Sequence, residues 1–385
     1  MNVTISRDRL QWLVQTASRP IPARTTFSSI KGCLLECTSQ NLVLSGTNLD
    51  WGVRVSSEAN VRSSGSLVVS SKILEDVVRT ISTPEVTLSL DESAWALTVK
   101  AGASEMVLNA IPADDFPRWP ASPDGQEIEL DGDLFRELVR IGATCAVSNP
   151  ARPLWGACLV EFKEGKMVAV STDQFALSRA SAQVEADECR AIVSATILQD
   201  IARLTDTEGG KKVAVKISDN HAYFDTQDVS CFSRLIDGQY YAYEQVIPKK
   251  FVSSARVATE DLRRAASRAA IVASEEDRAM RMILNKETGT LTVKAGSPDR
   301  GRMEEDLAAA IEGESIEIWV QHKYILQALG KIGSSETFLG MSGQVSAMKV
   351  EPVAEADSAD SKGEKRDNVE ATYVIMPMSS PRGAF

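Results

Sequence analysis

The sequence has few of the residues, and none of the short motifs, on which most enzymes depend. Its 385 residues include only two histidines, His221 and His322, which lie far apart in the chain. The patterns HExxH, GxSxG, GxxxxGKS/T and GxGxxG do not occur in it, and these patterns mark zinc peptidases, serine hydrolases and nucleotide-binding loops. We therefore predict that the protein is not an enzyme.

Consecutive acidic residues do not form a recognisable metal site either. Asp114-Asp115 and Glu304-Glu305-Asp306 are runs of carboxylates, and such runs bind divalent cations when further oxygen ligands accompany them. No further ligand set at a suitable spacing accompanies these two runs, so a surface turn and a solvated acidic patch are the better interpretations. We predict no metal ion and no cofactor.

Disulfide bonds and membrane segments are also not expected. The six cysteines include no CxxC pair, which favours small buried thiols in a reducing cytosol. No run of about 18 apolar residues is available to span a membrane, and Met1–Leu10 is charged and lacks the apolar core of an export signal. We predict a cytoplasmic protein with no membrane partner.

What the sequence does contain is a repeat. Apolar residues recur at helical spacing six times, and each stripe is followed by short runs typical of strands. Each unit is predicted to be one helix plus roughly four strands, and neighbouring units should join edge to edge. The stripes begin at Leu10, Leu74, Leu134, Ile197, Leu262 and Ile325, at intervals of 64, 60, 63, 65 and 63 residues. The predicted N-caps are Ser6, Ser71, Asp131, Ser194 and Thr259.

A weaker period doubles the first and indicates domains. Leu44–Asn48 resembles Val170–Asp173 one doubled unit later, and an apolar-Pro pair closes each doubled unit. We predict an α+β protein of three similar domains, each with two helix-plus-four-strand units. The predicted domains are residues 1–122, 123–250 and 251–385. Residues 351–370 lack aromatic side chains and are predicted to form a flexible loop in the last domain.

Positive charge recurs on the predicted helices, although the net charge of −11 at pH 7 ordinarily argues against a nucleic-acid partner. The acidic residues of these helices lie mostly in the first turn, where the helix dipole favours them. If all six helices face one direction, they create one basic surface; ordinary solvated helix faces are the alternative, and both stay open on composition alone. The basic residues are Lys72, Arg79, Arg136, Arg140, Arg203, Arg264, Arg268, Lys323 and Lys331.

Four stretches resemble the bacterial DNA polymerase III beta subunit, the sliding clamp family, and the resemblance covers the whole chain. They are Ala110–Pro117, Ser171–Asp173, Leu235–Gly238 and Tyr373–Met378. The resemblance implies the DNA clamp fold, assembled as a head-to-tail dimeric ring whose helices line the hole. It implies a processivity factor that encircles double-stranded DNA without reading its sequence, with Arg24 as a further DNA contact.

The resemblance also implies a hydrophobic pocket for short peptides of partner proteins. These partners would include the DNA polymerase III alpha subunit and the clamp loader. An apolar pocket with few polar groups suits peptide anchors, and methionine adapts to varied ones. The matching positions are Leu154, Trp155, Thr172, Gln174, Phe175, Leu177, Tyr241, Val246, Val374, Met376 and Met378.

The sequence departs from the family at this pocket. The family usually continues Thr-Asp with Gly, then His or Tyr, then Arg, whereas this chain has Gln174, Phe175 and Ala176, and Tyr241 replaces an expected Pro. We predict altered or weakened binding of standard clamp-binding peptides. A divergent accessory or inhibitor-resistant clamp is therefore an alternative function, and a repeat protein acting as an interaction scaffold is another.

The dimer contact implied by the resemblance joins the first domain of one chain to the third domain of the other. Strand edges would pair across it, which removes exposed edges. The residues that meet there would be Met106 and Leu108 on one side and Ile271, Val272, Glu304 and Glu305 on the other.

Overall fold

The computed structural model describes residues 1–27, 29–123, 127–205, 212–354 and 369–380. The described residues form two compact units. The first unit comprises residues 1–133 and 200–235, and the second comprises residues 134–199 and 236–385. The chain therefore passes between the two units three times.

Six α-helices lie in the described residues, and their positions confirm the six predicted apolar stripes. Leu10, Leu74 and Leu262, which begin three of the stripes, are fully buried. None of the helices in this part of the chain is long and apolar enough to cross a membrane. The helices are α1 (Arg7–Ala17), α2 (Ser71–Thr80), α3 (Gly132–Gly142), α4 (Ala195–Leu204), α5 (Thr259–Val272) and α6 (His322–Leu329).

Two of the predicted N-caps are wrong by one residue. Ser71 and Thr259 are the first residues of α2 and α5, so the capping position falls one residue earlier. The hydroxyl of Thr259 bonds the hydroxyl of Thr337 at 2.8 Å. Ser6 and Asp131 do accept backbone N–H groups at the starts of α1 and α3, as predicted.

The strands follow the helices in the predicted way. They are β1 (Asn2–Ser6), β2 (Gly32–Cys37), β3 (Asn41–Thr47), β4 (Trp51–Glu58), β5 (Asn60–Ser63), β6 (Gly65–Ser70), β7 (Glu85–Asp91), β8 (Ala96–Ala101), β9 (Ser104–Ile111), β10 (Ile128–Asp131), β11 (Ala157–Lys163), β12 (Lys166–Thr172), β13 (Ala176–Gln183), β14 (Cys189–Ser194), β15 (Lys212–Ile217), β16 (His221–Asp225), β17 (Val229–Arg234), β18 (Ser253–Ala258), β19 (Ala279–Asn285), β20 (Thr290–Ser297), β21 (Gly301–Gly313), β22 (Ile316–Gln321), β23 (Glu336–Met341), β24 (Met348–Pro352) and β25 (Glu370–Ile375).

Each unit has one antiparallel sheet made of three strand sets that join edge to edge, each of four strands except for one set of five in the first unit. In the first unit the order is β10-β15-β16-β17-β4-β3-β2-β6-β9-β8-β7-β1-β5. In the second unit it is β14-β11-β12-β13-β25-β24-β23-β18-β21-β20-β19-β22. The joins are β17 with β4 and β6 with β9 in the first unit, and β13 with β25 and β18 with β21 in the second. These joins confirm the predicted edge-to-edge assembly, which satisfies backbone groups that would otherwise be exposed.

The helices cover one face of these sheets. In the first unit α1 packs on α2 and on β3 and β4, and in the second unit α5 packs on α6 and on β20 and β21. Leu13 and Val14 of α1 and Ala265 and Ala269 of α5 are fully buried in these contacts. Burial of such side chains supplies most of the stability of short helices.

The predicted loop at residues 351–370 is wrong at its two ends, which belong to β24 and β25. Glu351 accepts a hydrogen bond from the Thr372 hydroxyl at 2.7 Å, and Glu370 accepts one from the Lys166 ammonium at 3.2 Å. These bonds hold both ends in the sheet. Residues 355–368 lie outside the described residues, as do residues 381–385 of the C-terminal extension. The domain boundaries at 122 and 250 stay a prediction.

Candidate partner pocket and nucleic-acid surface

An apolar cluster in the second unit brings together four of the predicted pocket residues. Leu177 pairs with Val374 across β13 and β25, so their side chains lie side by side. Leu154 and Tyr241 are half-buried at the edge of this cluster. The buried members are Ala157, Leu159, Val168, Val170, Leu177, Ile192, Tyr240, Tyr243 and Val374. The tyrosines and Ile192 were not predicted, although the aromatic run at 240–243 marked the segment that covers the sheet.

Three further predicted residues expose apolar side chains to solvent. Phe175 is 55% exposed, Val246 51% and Met376 41%. The Met376 N–H donates to the Phe175 carbonyl at 2.8 Å, which holds these two side chains at neighbouring positions. Exposed apolar groups beside an apolar cluster are typical of a binding surface.

Trp155 and Met378 are placed differently. Neither is among the described side chains that pack against the cluster. The Arg152 guanidinium lies 4.5 Å from the centre of the Trp155 ring, and the Met378 N–H donates to the Trp319 carbonyl at 2.8 Å. Their part in peptide binding stays a prediction.

The turn 172–176 carries the predicted rim of the pocket. The hydroxyl of Thr172 donates to the carbonyl of Ala176 at 2.8 Å. One carboxylate oxygen of Asp173 accepts the N–H groups of Phe175 and Ala176 at 3.0 and 2.8 Å. An Asx turn of this kind fixes the backbone locally, so the position of Phe175 is set by hydrogen bonds and not by its own packing.

The other carboxylate oxygen of Asp173 ties this turn to α6. It accepts a hydrogen bond from the Tyr324 hydroxyl at 2.7 Å, and both residues are buried. Burial, together with this bond to Asp173, raises the pKa of Tyr324, so its hydroxyl keeps its proton and donates. Lys323 on the same helix lies over the Tyr324 ring, 4.3 Å from its centre.

Gln174 has a backbone conformation that suits glycine. Its φ is +76°, in the left-handed region, and this is the position where the family usually has Gly. A side chain in this region costs roughly 1–2 kcal/mol. The departure noted in the sequence is therefore a strained one, and the two Asx-turn bonds hold it in place.

Most of the basic residues predicted to contact DNA are already in ion pairs on the surface. Arg203 bonds Asp200 at 2.8 Å and Arg264 bonds Glu260 at 3.1 Å. Arg79, Arg140 and Arg268 pair with Asp76, Glu137 and Glu305. The acid stands three or four residues before the arginine in all but one of these pairs, so the sequence carried a signal for them that was missed.

These ion pairs do not prevent phosphate binding. Solvent-exposed pairs contribute about 0–1 kcal/mol each, so a phosphate can replace the carboxylate at little cost. Arg24 and Lys72 are exposed and have no ion pair with a described residue. Arg136 and Lys331 are half-buried, and the Lys331 carbonyl accepts a hydrogen bond from the Arg140 guanidinium at 2.9 Å.

In each unit, one strand pairs with the adjoining strand set along only part of its length. Within the described residues, β9 pairs with β6 only at Ala110 and Ile111, and β21 pairs with β18 only from Ala309 to Gly313. The remaining edges, at residues 104–109 and 301–308, have no strand partner among the described residues of their own unit. Met106, Leu108, Glu304 and Glu305 of the predicted dimer contact lie on these two edges.

The described residues hold no candidate metal site, since no three His, Cys, Asp or Glu side chains cluster suitably there. All six cysteines are free, and five of them are buried. Burial raises the pKa of Cys33, Cys145 and Cys158 to about 12, so these thiols stay protonated. The prediction of buried thiols is confirmed for the five buried cysteines.

The chain is similar to known proteins over nearly its whole length. Three consecutive stretches match the family models of the DNA polymerase III beta subunit: residues 1–120 the N-terminal domain, 129–241 the central domain and 244–379 the C-terminal domain. A beta sliding clamp from Pseudomonas putida is 30% identical to this chain, over 98% of the chain and 100% of the relative. This chain belongs to the beta sliding clamp family.

Solved clamp structures agree with the fold. The sliding clamp of Pseudomonas aeruginosa bound to griselimycin has a TM-score of 0.90 and 26% identity, over 98% of this chain and 99% of that one. A clamp from Bacillus subtilis has a TM-score of 0.91 over 99% of this chain and 100% of that one. Its identity is 20%, so it speaks for the fold alone.

Membership of the clamp family confirms several predictions together. The chain has the α+β three-domain clamp fold. Its function is that of a DNA sliding clamp, a non-catalytic processivity factor of DNA replication. The comparisons do not favour a divergent accessory or inhibitor-resistant clamp. Altered peptide binding at the pocket stays a prediction.

Proposed function

We propose that two copies of this chain join head to tail into a ring that encircles double-stranded DNA. The observation that carries the proposal is the pair of half-paired strands, β9 in the first unit and β21 in the second. Val107 on β9 is 63% exposed, and Ile271 near the end of α5 is 69% exposed. Two backbone edges with apolar neighbours are complementary to each other, and pairing them would remove both exposed edges.

In this dimer Met106 and Leu108 would meet Ile271 and Val272 of the second copy. Glu304 already bonds Lys294 at 2.7 Å, and Glu305 is paired with Arg268. These two acids are therefore satisfied within their own unit, and backbone pairing and apolar contact would supply most of the association energy.

Loader-catalysed placement on nicked circular DNA tests the ring. The wild-type protein should stay on circles and leave when they are cut. Ile271→Asp should lose retention and sediment as a monomer at concentrations where the wild type is a dimer. Leu49→Asp places the same charge on a side chain that is 50% exposed on the turn between β3 and β4 of the first unit, outside the two edges and the apolar cluster, and should behave as wild type. Equal retention by Ile271→Asp would contradict the proposal.

DNA would be held by phosphate contacts from the helices and from Arg24. Lys72 and Arg24 are the strongest candidates because neither forms an ion pair with a described residue. Contacts of this kind carry no sequence information and weaken as salt rises. The other proposed contacts are Arg79, Arg136, Arg140, Arg203, Arg264, Arg268 and Lys331, and the proposed location is the cytoplasm.

The apolar cluster would take short peptides from the DNA polymerase III alpha subunit, the clamp loader and related partners. Leu154, Leu177, Tyr241 and Val374 would contact the apolar anchors of the peptide. Fluorescence titration with a polymerase-derived clamp-binding peptide tests this proposal. We expect weaker binding than to clamps that have the usual pocket residues, and ordinary affinity would contradict the predicted effect of the departures at residues 174–176, of which the change at Gln174 is expected to have the smallest effect.

A further inference from the structure

A separate cleft lies next to the apolar cluster of the second unit, between the sheet and the segment 239–245. It encloses about 280 Å³. Leu159 and Ile192 line its apolar part, and Tyr241 and Tyr243 line it from the covering segment. Lys163 and Arg190 bring positive charge to it. None of the residues predicted to bind peptide, apart from Tyr241, belongs to it.

Arg190 has no ion-pair partner within the described residues, although a carboxylate stands opposite it. It stands directly opposite Glu161 in the pairing of β11 with β14, which is where a cross-strand ion pair would form. The Glu161 carboxylate instead accepts a hydrogen bond from the Tyr243 hydroxyl at 2.9 Å. Burial and the neighbouring Glu161 raise the pKa of Tyr243, so this bond persists at neutral pH. Arg190 is exposed and makes no hydrogen bond or ion pair with any described residue.

Lys163 adds a second cation that is only weakly engaged. Its ammonium is 3.8 Å from the Glu164 carboxylate, and its side chain is 50% exposed. Two carboxylates line the cleft as well. Glu161, on the same strand as Lys163, accepts the Tyr243 hydroxyl, and Glu244 lies on the covering segment and is exposed. The charges of the lining are balanced, and Arg190 is the cation that an incoming anion would meet without displacing a described partner.

The cleft and the apolar cluster share part of their walls. Leu159, Ile192, Tyr240, Tyr241 and Tyr243 belong to both. A peptide anchored at the cluster would carry its flanking residues over the cleft. The lining changes along β11 from an apolar side chain at Leu159 to a basic one at Lys163. Apolar residues followed by acidic ones would match this order.

We propose that this cleft binds an acidic segment adjoining the apolar motif of a partner peptide. Its carboxylates would contact Arg190 and Lys163, and its aliphatic carbons would rest on Leu159 and Ile192. The proposal rests on the proposed peptide pocket, and it adds a determinant of which partners bind.

Fluorescence polarisation with four labelled peptides tests this inference. Each contains the same polymerase-derived core, and they carry three aspartates at one end, three aspartates at the other end, three serines or three lysines. With the wild-type protein, one aspartate peptide should bind about three- to five-fold more tightly than the serine peptide, and the lysine peptide should bind less tightly. The preference should shrink as salt rises, because exposed ion pairs are screened.

The variants separate the cleft from general charge. Arg190→Glu should abolish or reverse the preference for aspartate and leave the affinity for the serine peptide unchanged. Arg256→Glu makes the same change at an exposed arginine on β18 outside the cleft, and should keep the preference. Equal affinity of the wild type for all four peptides, or equal losses in both variants, would overturn the inference and leave the peptide pocket standing. Failure of the core itself to bind would overturn both.

Discussion

The same turn occurs twice in this molecule, at residues 47–51 in the first unit and at residues 172–176 in the second. In both, the threonine hydroxyl donates to the carbonyl of the last residue at 2.8 Å. In both, the second side chain, Asn48 or Asp173, accepts two backbone N–H groups at 2.8–3.0 Å. The third residue has a left-handed φ, +78° at Leu49 and +76° at Gln174.

The two turns differ in the side chains that they place at the join between strand sets. Arg234 donates its N–H to the Asp50 carbonyl at 2.7 Å, in the way that Met376 donates to Phe175 at 2.8 Å. The equivalent backbone positions therefore carry a charged pair in the first unit and an apolar pair in the second. Only the second pair can bind an apolar peptide without stripping water from charges.

In the first unit, aromatic side chains fill the space that corresponds to the apolar cluster of the second unit. Phe232 pairs with Gly52, and a Cβ on that glycine would lie 2.4 Å from the Phe232 ring. Trp119 packs edge-on against Phe232 at 4.8 Å and lies over the Arg54 guanidinium at 4.6 Å. The backbone is thus repeated, whereas the site depends on which side chains occupy it.

The largest expected difference between the turns concerns their acceptor side chains. Asp173→Ala should lower the free energy of unfolding by about 3 kcal/mol, since it removes charge-assisted bonds and leaves the buried Tyr324 hydroxyl without its acceptor. Asn48→Ala should cost about 1 kcal/mol, since its two bonds are neutral. Midpoints of urea unfolding for both variants measure the difference. Equal losses would mean that the bond from Tyr324 contributes nothing.

A smaller effect is expected from exchanging rim residues between the turns. Phe175→Asp introduces the charge found at Asp50, and should weaken binding of the core peptide about ten-fold, a cost of about 1.4 kcal/mol, without lowering the unfolding midpoint. The reciprocal change, Asp50→Phe, should create no second binding site because Phe232 and Trp119 already fill the space there. Titration with the labelled core peptide measures both. Two binding sites in Asp50→Phe would contradict the argument from side-chain filling.

The sequence predicted the repeated part of this comparison well. The similarity of Leu44–Asn48 to Val170–Asp173 placed equivalent turns one doubled unit apart, and the helical stripes located all six helices. Both are local patterns of backbone and burial. The resemblance then predicted that Leu177 and Val374 share a site.

The parts that sequence could not predict depend on contacts between distant residues. The register of β17 on β4 decides that Phe232 covers Gly52, and no local pattern encodes it. The hydrogen bond from Tyr243 to Glu161 joins a strand to a loop 82 positions away along the chain, and no local pattern indicates that Glu161 has this partner. The two compact units also differ from the three predicted domains. β17 pairs with β4, so the first unit combines strands that are far apart in the chain.

The smallest expected effect tests whether the two turns store the same strain. Gln174→Gly and Leu49→Gly both relieve a left-handed side chain, a gain of roughly 1–2 kcal/mol, partly offset by about 0.5–1 kcal/mol of added freedom in the unfolded chain. Gln174→Gly should therefore be more stable by about 0.5–1 kcal/mol in urea unfolding. Leu49→Gly should gain less, because it also removes an apolar side chain that is only 50% exposed. Gln174→Gly should in addition leave the affinity for the core peptide within about two-fold, since the bonds from Thr172 and Asp173 fix the turn. Destabilisation by both glycines would show that the turns hold this backbone without strain. Tighter peptide binding by Gln174→Gly would show that residue 174, and not only Phe175, controls the affinity of the pocket.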